Sequence, residues 1–131
     1  MRPDEALADL KEVSSELEAV VLARPDRSVV ASTLADDARA RTIAENAVGL
    51  LEGARDATRA GRDPTQVHVA TREGCVFVVC DDRYLLAGVT GPAPTVGLVF
   101  YDLKTALRSL EGEPGEKPKR RRTAAKARES A

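Results

Sequence analysis

Tryptophan is absent from this chain of 131 residues, and aromatic residues of all kinds make up only 3% of it. A core must therefore come from Val, Leu and Ala. Histidine occurs once, at His68, which excludes a histidine-based triad or a multi-histidine metal site within one chain. No apolar run approaches the roughly 18–20 residues of a membrane span. Met1-Arg2-Pro3-Asp4-Glu5 has no apolar stretch behind its positive charge, so no signal peptide is expected and the expected compartment is the cytoplasm.

Cysteine is scarce too. Cys75 and Cys80 fall on one expected strand, where about 3.3 Å per residue separates them by roughly 16 Å on opposite faces. A disulfide needs Cα atoms within about 7 Å, so the two cannot bridge each other, and their spacing is not that of a zinc site. Both read as buried, inert thiols. A phosphate-binding loop is also missing. The nearest stretch, Gly91-Pro92-Ala93-Pro94-Thr95-Val96-Gly97, lacks the Lys and the hydroxyl at their positions, and its prolines remove N–H groups a phosphate would use. The chain is not itself a GTPase. With no nucleophile–base–orienter set it is expected to be no enzyme, with no cofactor and no bound metal.

What is present is a globular composition, 43% hydrophobic, and a division of charge. Residues 112–131 carry seven Lys/Arg against three Glu, a net of +4, whereas residues 1–111 carry a net of −5. The expected organisation is one domain over 1–111 and a basic tail over 112–131. The tail's only apolar residue type is Ala, too little to offset the entropy of ordering, so disorder is expected there.

Periodicity and punctuation divide the domain further. Pro3 to Val13 reads as an amphipathic helix with Leu7, Leu10 and Val13 on one face. Leu17–Ala23 and Ser28–Thr33 read as strands joined by the turn Arg24-Pro25-Asp26-Arg27. Asp36 or Asp37 caps a long helix to about Ala60, closed by Gly61. Its stripe of Ala40, Ile43, Ala47, Leu50, Ala54 and Ala57, widened by Ala44, Val48 and Leu51, is small enough to let a partner backbone approach closely. Three strands follow, Thr65–Arg72, Cys75–Cys80 and Tyr84–Thr90, with Gly74 available for a positive φ. The middle one, Cys-Val-Phe-Val-Val-Cys, is apolar on both faces, so both sides of the sheet must be covered. After Gly91-Pro92-Ala93-Pro94 a last helix runs from about Thr95 to Leu110, burying Val96, Val99, Phe100, Leu103, Leu107 and Leu110. The fold class is α/β, an α+β sandwich of order α-β-β-α-β-β-β-α. A five-stranded antiparallel sheet carries one long helix on one face and two helices on the other.

Individual polar residues have bland readings beside sharper ones. Asp81-Asp82 could be a carboxylate pair, but Asp beside Arg83 in a tight hairpin serves turn geometry alone. His68 is either a surface strand residue alternating with Val67 and Val69 or a pH-sensitive group at a dimer seam. Lys117, Lys119, Arg120, Arg121 and Arg122 form a polybasic run that could bind an anionic surface or merely solubilise the tail. It has no aromatics to stack on bases and no Cys after it for lipidation.

This order of elements, together with Ala19–Ala23 and Ser28–Thr33 before an acid-capped Ala-rich helix, Gly74-Cys75-Val76-Phe77-Val78-Val79 beside Tyr84–Thr90, and Thr95–Leu103 entering the last helix, resembles the roadblock family. That family includes a dynein light chain and the bacterial MglB-type partners of Ras-like GTPases. The resemblance covers residues 5–111. The chain departs from it at the first hairpin loop, where relatives often carry Asp-Gly. It implies a homodimer in which the strand after the long helix pairs with its twin and the long helices pack together. Carried over, the interface is Ile43, Ala47, Leu50, Leu51, Ala54, Val67, His68 and Val69. It also implies a regulatory or adaptor role toward a Ras-like small GTPase of the MglA type. The alternative is a dimeric scaffold or cargo adaptor with a basic tethering tail and no GTPase partner.

Overall fold

A computed structural model describes residues 1–58 and 64–110. The basic tail of 112–131 and the Gly61 closure of the long helix lie outside the described residues. The elements are α1 (Pro3–Val13), β1 (Leu17–Ala23), β2 (Val29–Ser32), α2 (Asp37–Ala57), β3 (Gln66–Ala70), β4 (Cys75–Cys80), β5 (Leu85–Thr90) and α3 (Val96–Arg108). All pairings are antiparallel, and the five strands lie in the order β2-β1-β5-β4-β3. The expected fold class is the observed one.

Local chemistry sets the boundaries. Pro3 opens α1, and the Glu5 carboxylate accepts the Arg2 N–H at 3.2 Å. Asp36 caps α2, its Oδ1 accepting from Ala38 N–H at 3.0 Å and Arg39 N–H at 3.3 Å. The far end of α2 differs from expectation. Thr58 turns extended and its hydroxyl donates to Arg55 O at 3.0 Å, so a side-chain cap ends the helix at Ala57. Gly74 also has a different reason from the one expected. Its backbone lies outside the left-handed region, but a Cβ there would strike the Thr90 carbonyl oxygen of the neighbouring strand. Positive φ falls instead on Arg27 (77°) and Ala93 (61°).

Alternation sends each strand's residues to two cores. Val20, Leu22, Phe77, Val79 and Leu86 meet Ala6, Leu7 and Leu10 of α1 and Val99, Leu103 and Leu107 of α3. Val21, Ala23, Val78, Leu85 and Ala87 meet Ala40, Ala44, Ala47 and Val48 of α2. One expected core residue of α3 is displaced outward: Val96 is 37% exposed. The helix entry is held by polar contacts instead, the Glu16 carboxylate accepting from Thr95 N–H at 2.9 Å and from its hydroxyl at 3.0 Å. The other end of α3 is held by Arg83, whose guanidinium donates to Leu110 O at 3.1 Å and Leu107 O at 3.4 Å. The Met1 ammonium donates to Ser109 O at 2.8 Å.

Candidate partner-binding surface

α2 covers its face of the sheet incompletely. At about 3.6 residues per turn, Ala40, Ala44, Ala47 and Val48 face the sheet and are buried. Arg41 lies toward β2, where it lines a recess with Ser28 to Ser32. Glu52 lies on that same flank and pairs with Arg27 of the β1–β2 turn at 3.4 Å. Helical rotation therefore puts Ile43, Leu50 and Ala54 on the opposite flank, toward β3, where all three are half-buried. Val67 and Val69 of β3 have side chains on the same face of the sheet and are half-buried too. The result is a continuous apolar strip, from a helix flank to an edge strand, with no covering element among the described residues.

The residues expected at an interface do not all share this situation. Ile43, Leu50, Ala54, Val67 and Val69 lie along the strip. Ala47 is 1% exposed, buried within the chain's own α2 core, and has no surface to offer a partner. Leu51 leans the other way, lining a groove of about 220 Å³ with Pro25, Glu52, Arg55, Cys80 and Tyr84. His68 is exposed on the opposite face of the sheet, its ring stacked on Phe77 at a centroid distance of 4.5 Å. The expected tail residues Lys117, Lys119, Arg120, Arg121 and Arg122 lie outside the described residues.

Other polar groups have structural employment. Asp81 Oδ1 accepts from Arg83 N–H at 2.8 Å and Tyr84 N–H at 2.9 Å, which is the turn role expected of it. Arg27 is held by Glu52. The Asp26 carboxyl is held below the usual carboxylate range, chiefly by the Ser28 hydroxyl that donates to it at 2.6 Å and by the Ser28 N–H. Cys75 is buried, but Cys80 is only half-buried, and its thiol donates to Pro64 O at 3.2 Å. The expectation that both thiols are buried is corrected for Cys80, which stands at the strand end beside the groove. Among the described residues, no three of His, Cys, Asp and Glu come together as metal ligands could, and no helix is long and apolar enough to cross a membrane.

Two surface features escaped sequence reasoning. The groove joins a turn, a helix and a strand end that are far apart in the chain. The second is a patch on the α1/α3 side, where Val13 is 62%, Leu98 52% and Tyr101 62% exposed. Leu98 and Tyr101 are three residues apart and outside the buried stripe of α3, a spacing that could have marked a second apolar face.

No family model and no curated protein matches the sequence. Solved structures do match the fold. A Roadblock/LC7 domain from Streptomyces avermitilis superposes with a TM-score of 0.75 at 23% identity, covering 83% of this chain and 94% of that one. The gliding protein MglB from Thermus thermophilus gives 0.58 at 22% identity, covering 79% and 84%. Myxococcus xanthus MglB gives 0.56 at 15%, covering 79% and 83%. The chain has the roadblock fold, of the form found in MglB.

Proposed function

We propose that this chain is a homodimeric regulatory or adaptor protein, acting in the cytoplasm, that binds a Ras-like small GTPase of the MglA type and modulates its GTP hydrolysis. The observation that carries this reading is the uncovered strip of Ile43, Leu50, Ala54, Val67 and Val69 on a fold shared with MglB. Two copies joined along it bury apolar surface that one copy leaves wet, and present two α2 helices side by side as a platform. The net charge of −5 on residues 1–111 favours a partner surface with basic character. The net charge of +4 on residues 112–131 suits an anionic surface.

Modulation of hydrolysis is read as indirect, through the GTPase's own switch segments, rather than as an arginine inserted in trans. Arg24 and Arg27 are the loop candidates for such a finger, and the Arg27 guanidinium is paired with Glu52. GTP turnover measured with Arg24→Ala and Arg27→Ala tests this. Unchanged stimulation by both agrees with the indirect route, and loss of stimulation with unchanged binding refutes it. The primary test is capture of a small GTPase, with GDP or a non-hydrolysable GTP analogue added. Preference for the analogue agrees with the regulator reading. Absence of any GTPase under either nucleotide sinks it.

A second reading is a dimeric scaffold or cargo adaptor without a GTPase partner. It is favoured by the Val13, Leu98 and Tyr101 patch, which lies on the face away from α2 and suits a separate partner. Removal of residues 112–131 would then abolish function while leaving the dimer intact.

A further inference from the structure

The large apolar side chains that neither core takes in gather at one end of the α1/α3 face. The two helices run antiparallel: the Met1 ammonium meets Ser109 O at one end, and Glu16 meets Thr95 at the other. Between them lies a groove of about 80 Å³, lined by Asp9, Leu10 and Val13 of α1 and by Asp102, Thr105 and Ala106 of α3. Leu98 stands one turn before Asp102 on the same flank of α3, with Tyr101 beside it. Val13, Leu98 and Tyr101 are each more than half exposed. They form one apolar patch at the end of the groove away from Leu110.

Helical phase sorts the charges around this patch. On α3, Lys104 and Arg108 take the far flank, where they line a recess with Thr65 and Val79. Arg108 comes no nearer the groove than the Thr105 hydroxyl at 3.4 Å. On α1, Asp4, Glu5, Asp9 and Glu12 stand against Lys11 alone, a net of −3. Lys11 turns away, its Nζ donating to Leu17 O at 3.2 Å and Glu18 O at 3.3 Å. Arg2 pairs with Asp4 at 3.9 Å, but no ion pair joins Asp9, Glu12 or Asp102 to a cation among the described residues. The carboxylates beside the α2 groove are in use by comparison, Glu52 holding Arg27 and Asp81 holding Arg83.

We propose that the basic run of 117–122 in the same chain lies on this face. Its cations meet Asp9, Glu12 and Asp102, and its aliphatic stems cover Val13, Leu98 and Tyr101. The described residues reach Leu110, at the Met1 end of the groove. Leu98 is twelve helical residues back from there, about 18 Å. Lys117 is seven residues on, a reach of roughly 23 Å, so the run arrives where the apolar patch and the unpaired carboxylates are. Five of its six residues are Lys or Arg and none is acidic. A tether this short holds the run at an effective concentration of about the millimolar range, enough to populate pairs that are individually weak. An anionic surface competes for the same cations, so the patch is bared to a partner when that surface takes up the tail. The contact stands whether or not two copies pair through α2 and β3.

A nitroxide at Ala124→Cys, in the full chain with Cys80→Ser, reads the contact through amide NMR intensities, Cys75 being buried. At about 50 mM salt, Asp9, Val13, Leu98 and Asp102 are expected to lose at least half their intensity relative to the reduced label. His68, beside Phe100 on the far flank of α3, and Glu52 are expected to keep theirs. About 0.5 M salt, added polyglutamate, or the pair D9N/D102N should each restore the lost signals at least twofold. Equal broadening at His68 and Glu52 means a tail that only samples the space around its exit, and overturns the proposal. Broadening confined to the face but indifferent to salt and to D9N/D102N overturns the charge pairing. Unlabelled isotope-enriched chains mixed with spin-labelled chains at natural abundance test for docking between copies. Broadening as strong in that mixture as within one chain overturns the intramolecular contact. Signals that polyglutamate leaves broadened overturn the competition with an anionic surface.

Discussion

The two faces of the sheet are closed by different kinds of residue. Toward α1 and α3 the contacts are large: Leu10, Leu22, Phe77, Leu86 and Leu103 are almost wholly buried there. Toward α2 the closing residues on the helix are Ala40, Ala44, Ala47 and Val48, three of them alanines, and larger neighbours such as Ile43, Leu50 and Leu51 are only half-buried. Large interdigitating side chains complete a core within one chain. Alanines let a helix lie close to the sheet but leave its flanks over the edge. The first face is finished, and the second stops short along the line where β3 ends the sheet.

The contrast can be broken at several strengths. Leu103 is fully buried, and Leu103→Ala should cost about 2–5 kcal/mol of folding stability, as core truncations do, read by urea or thermal unfolding. Ala44→Leu probes the close approach on the other face. With no exposed surface at Ala44, the added bulk should cost about 1–3 kcal/mol, and a variant as stable as the parent would mean that α2 stands off the sheet. Paired Ile43→Asp and Leu50→Asp, both half-buried against the α2 core, should lower the unfolding midpoint of the monomer less than Leu103→Ala does. They should raise the dimer dissociation constant at least tenfold, about 1.4 kcal/mol, in sedimentation measurements. If instead they unfold the chain as Leu103→Ala does, the α2 flank is core and the contrast fails.

Smaller effects sit in the β1–β2 turn, which leans on α2 through Arg27 and Glu52. Arg27 holds a φ of 77°, a conformation that costs a non-glycine residue about 1–2 kcal/mol. Arg27→Gly should therefore gain up to about 1 kcal/mol in thermal unfolding, offset by the lost ion pair, which is exposed and weak. The smallest expected effect is that of acid on the same turn. The folded-state pKa of Asp26 is depressed, so its stabilising contribution is complete above the ordinary aspartate pKa of about 3.9. That contribution is lost as pH falls through the lower folded value. Asp26→Asn should flatten this part of the acid unfolding profile, and a profile identical to the parent's would count against the Ser28 contacts.

Most of the fold was legible in the sequence because its signals are local. Asp36 before an Ala-rich period, Pro3 at a helix start and Gly91-Pro92-Ala93-Pro94 before α3 each act within a few residues. The doubly apolar run of β4 announced that both faces are covered. What stayed hidden depends on residues distant in the chain. Gly74 is required by the Thr90 carbonyl across a strand pair. Val96 is 37% exposed although its helical phase suits burial, at an entry where Glu16 accepts from Thr95 N–H, a contact between residues far apart in the chain. Of the candidate surface, Ile43, Leu50, Ala54, Val67 and Val69, named from the resemblance, are half-buried, whereas the burial of Ala47 was not foreseen, since periodicity gives a helix face without saying which flank the sheet leaves bare. The row of His68, Phe77 and Phe100 joins three elements and leaves no mark in any one of them.

Arg83 bears on how the molecule responds to being pulled. Its guanidinium spans from the β4–β5 turn to the carbonyls of Leu107 and Leu110, with Asp81 behind it at 3.1 Å and the Tyr84 ring beneath it at 5.2 Å. Any tension applied through the residues that follow Leu110 reaches these contacts before it reaches the sheet. Together with the Met1 ammonium on Ser109 O, this side chain separates a local event from a global one. When it releases, the last turn of α3 can fray while the strands stay shut, as small cooperative units open below the free energy of whole-domain unfolding. Because Leu107 and Leu110 are buried in the core beneath α3, the same release opens one corner of that core while the strand pairings stay closed.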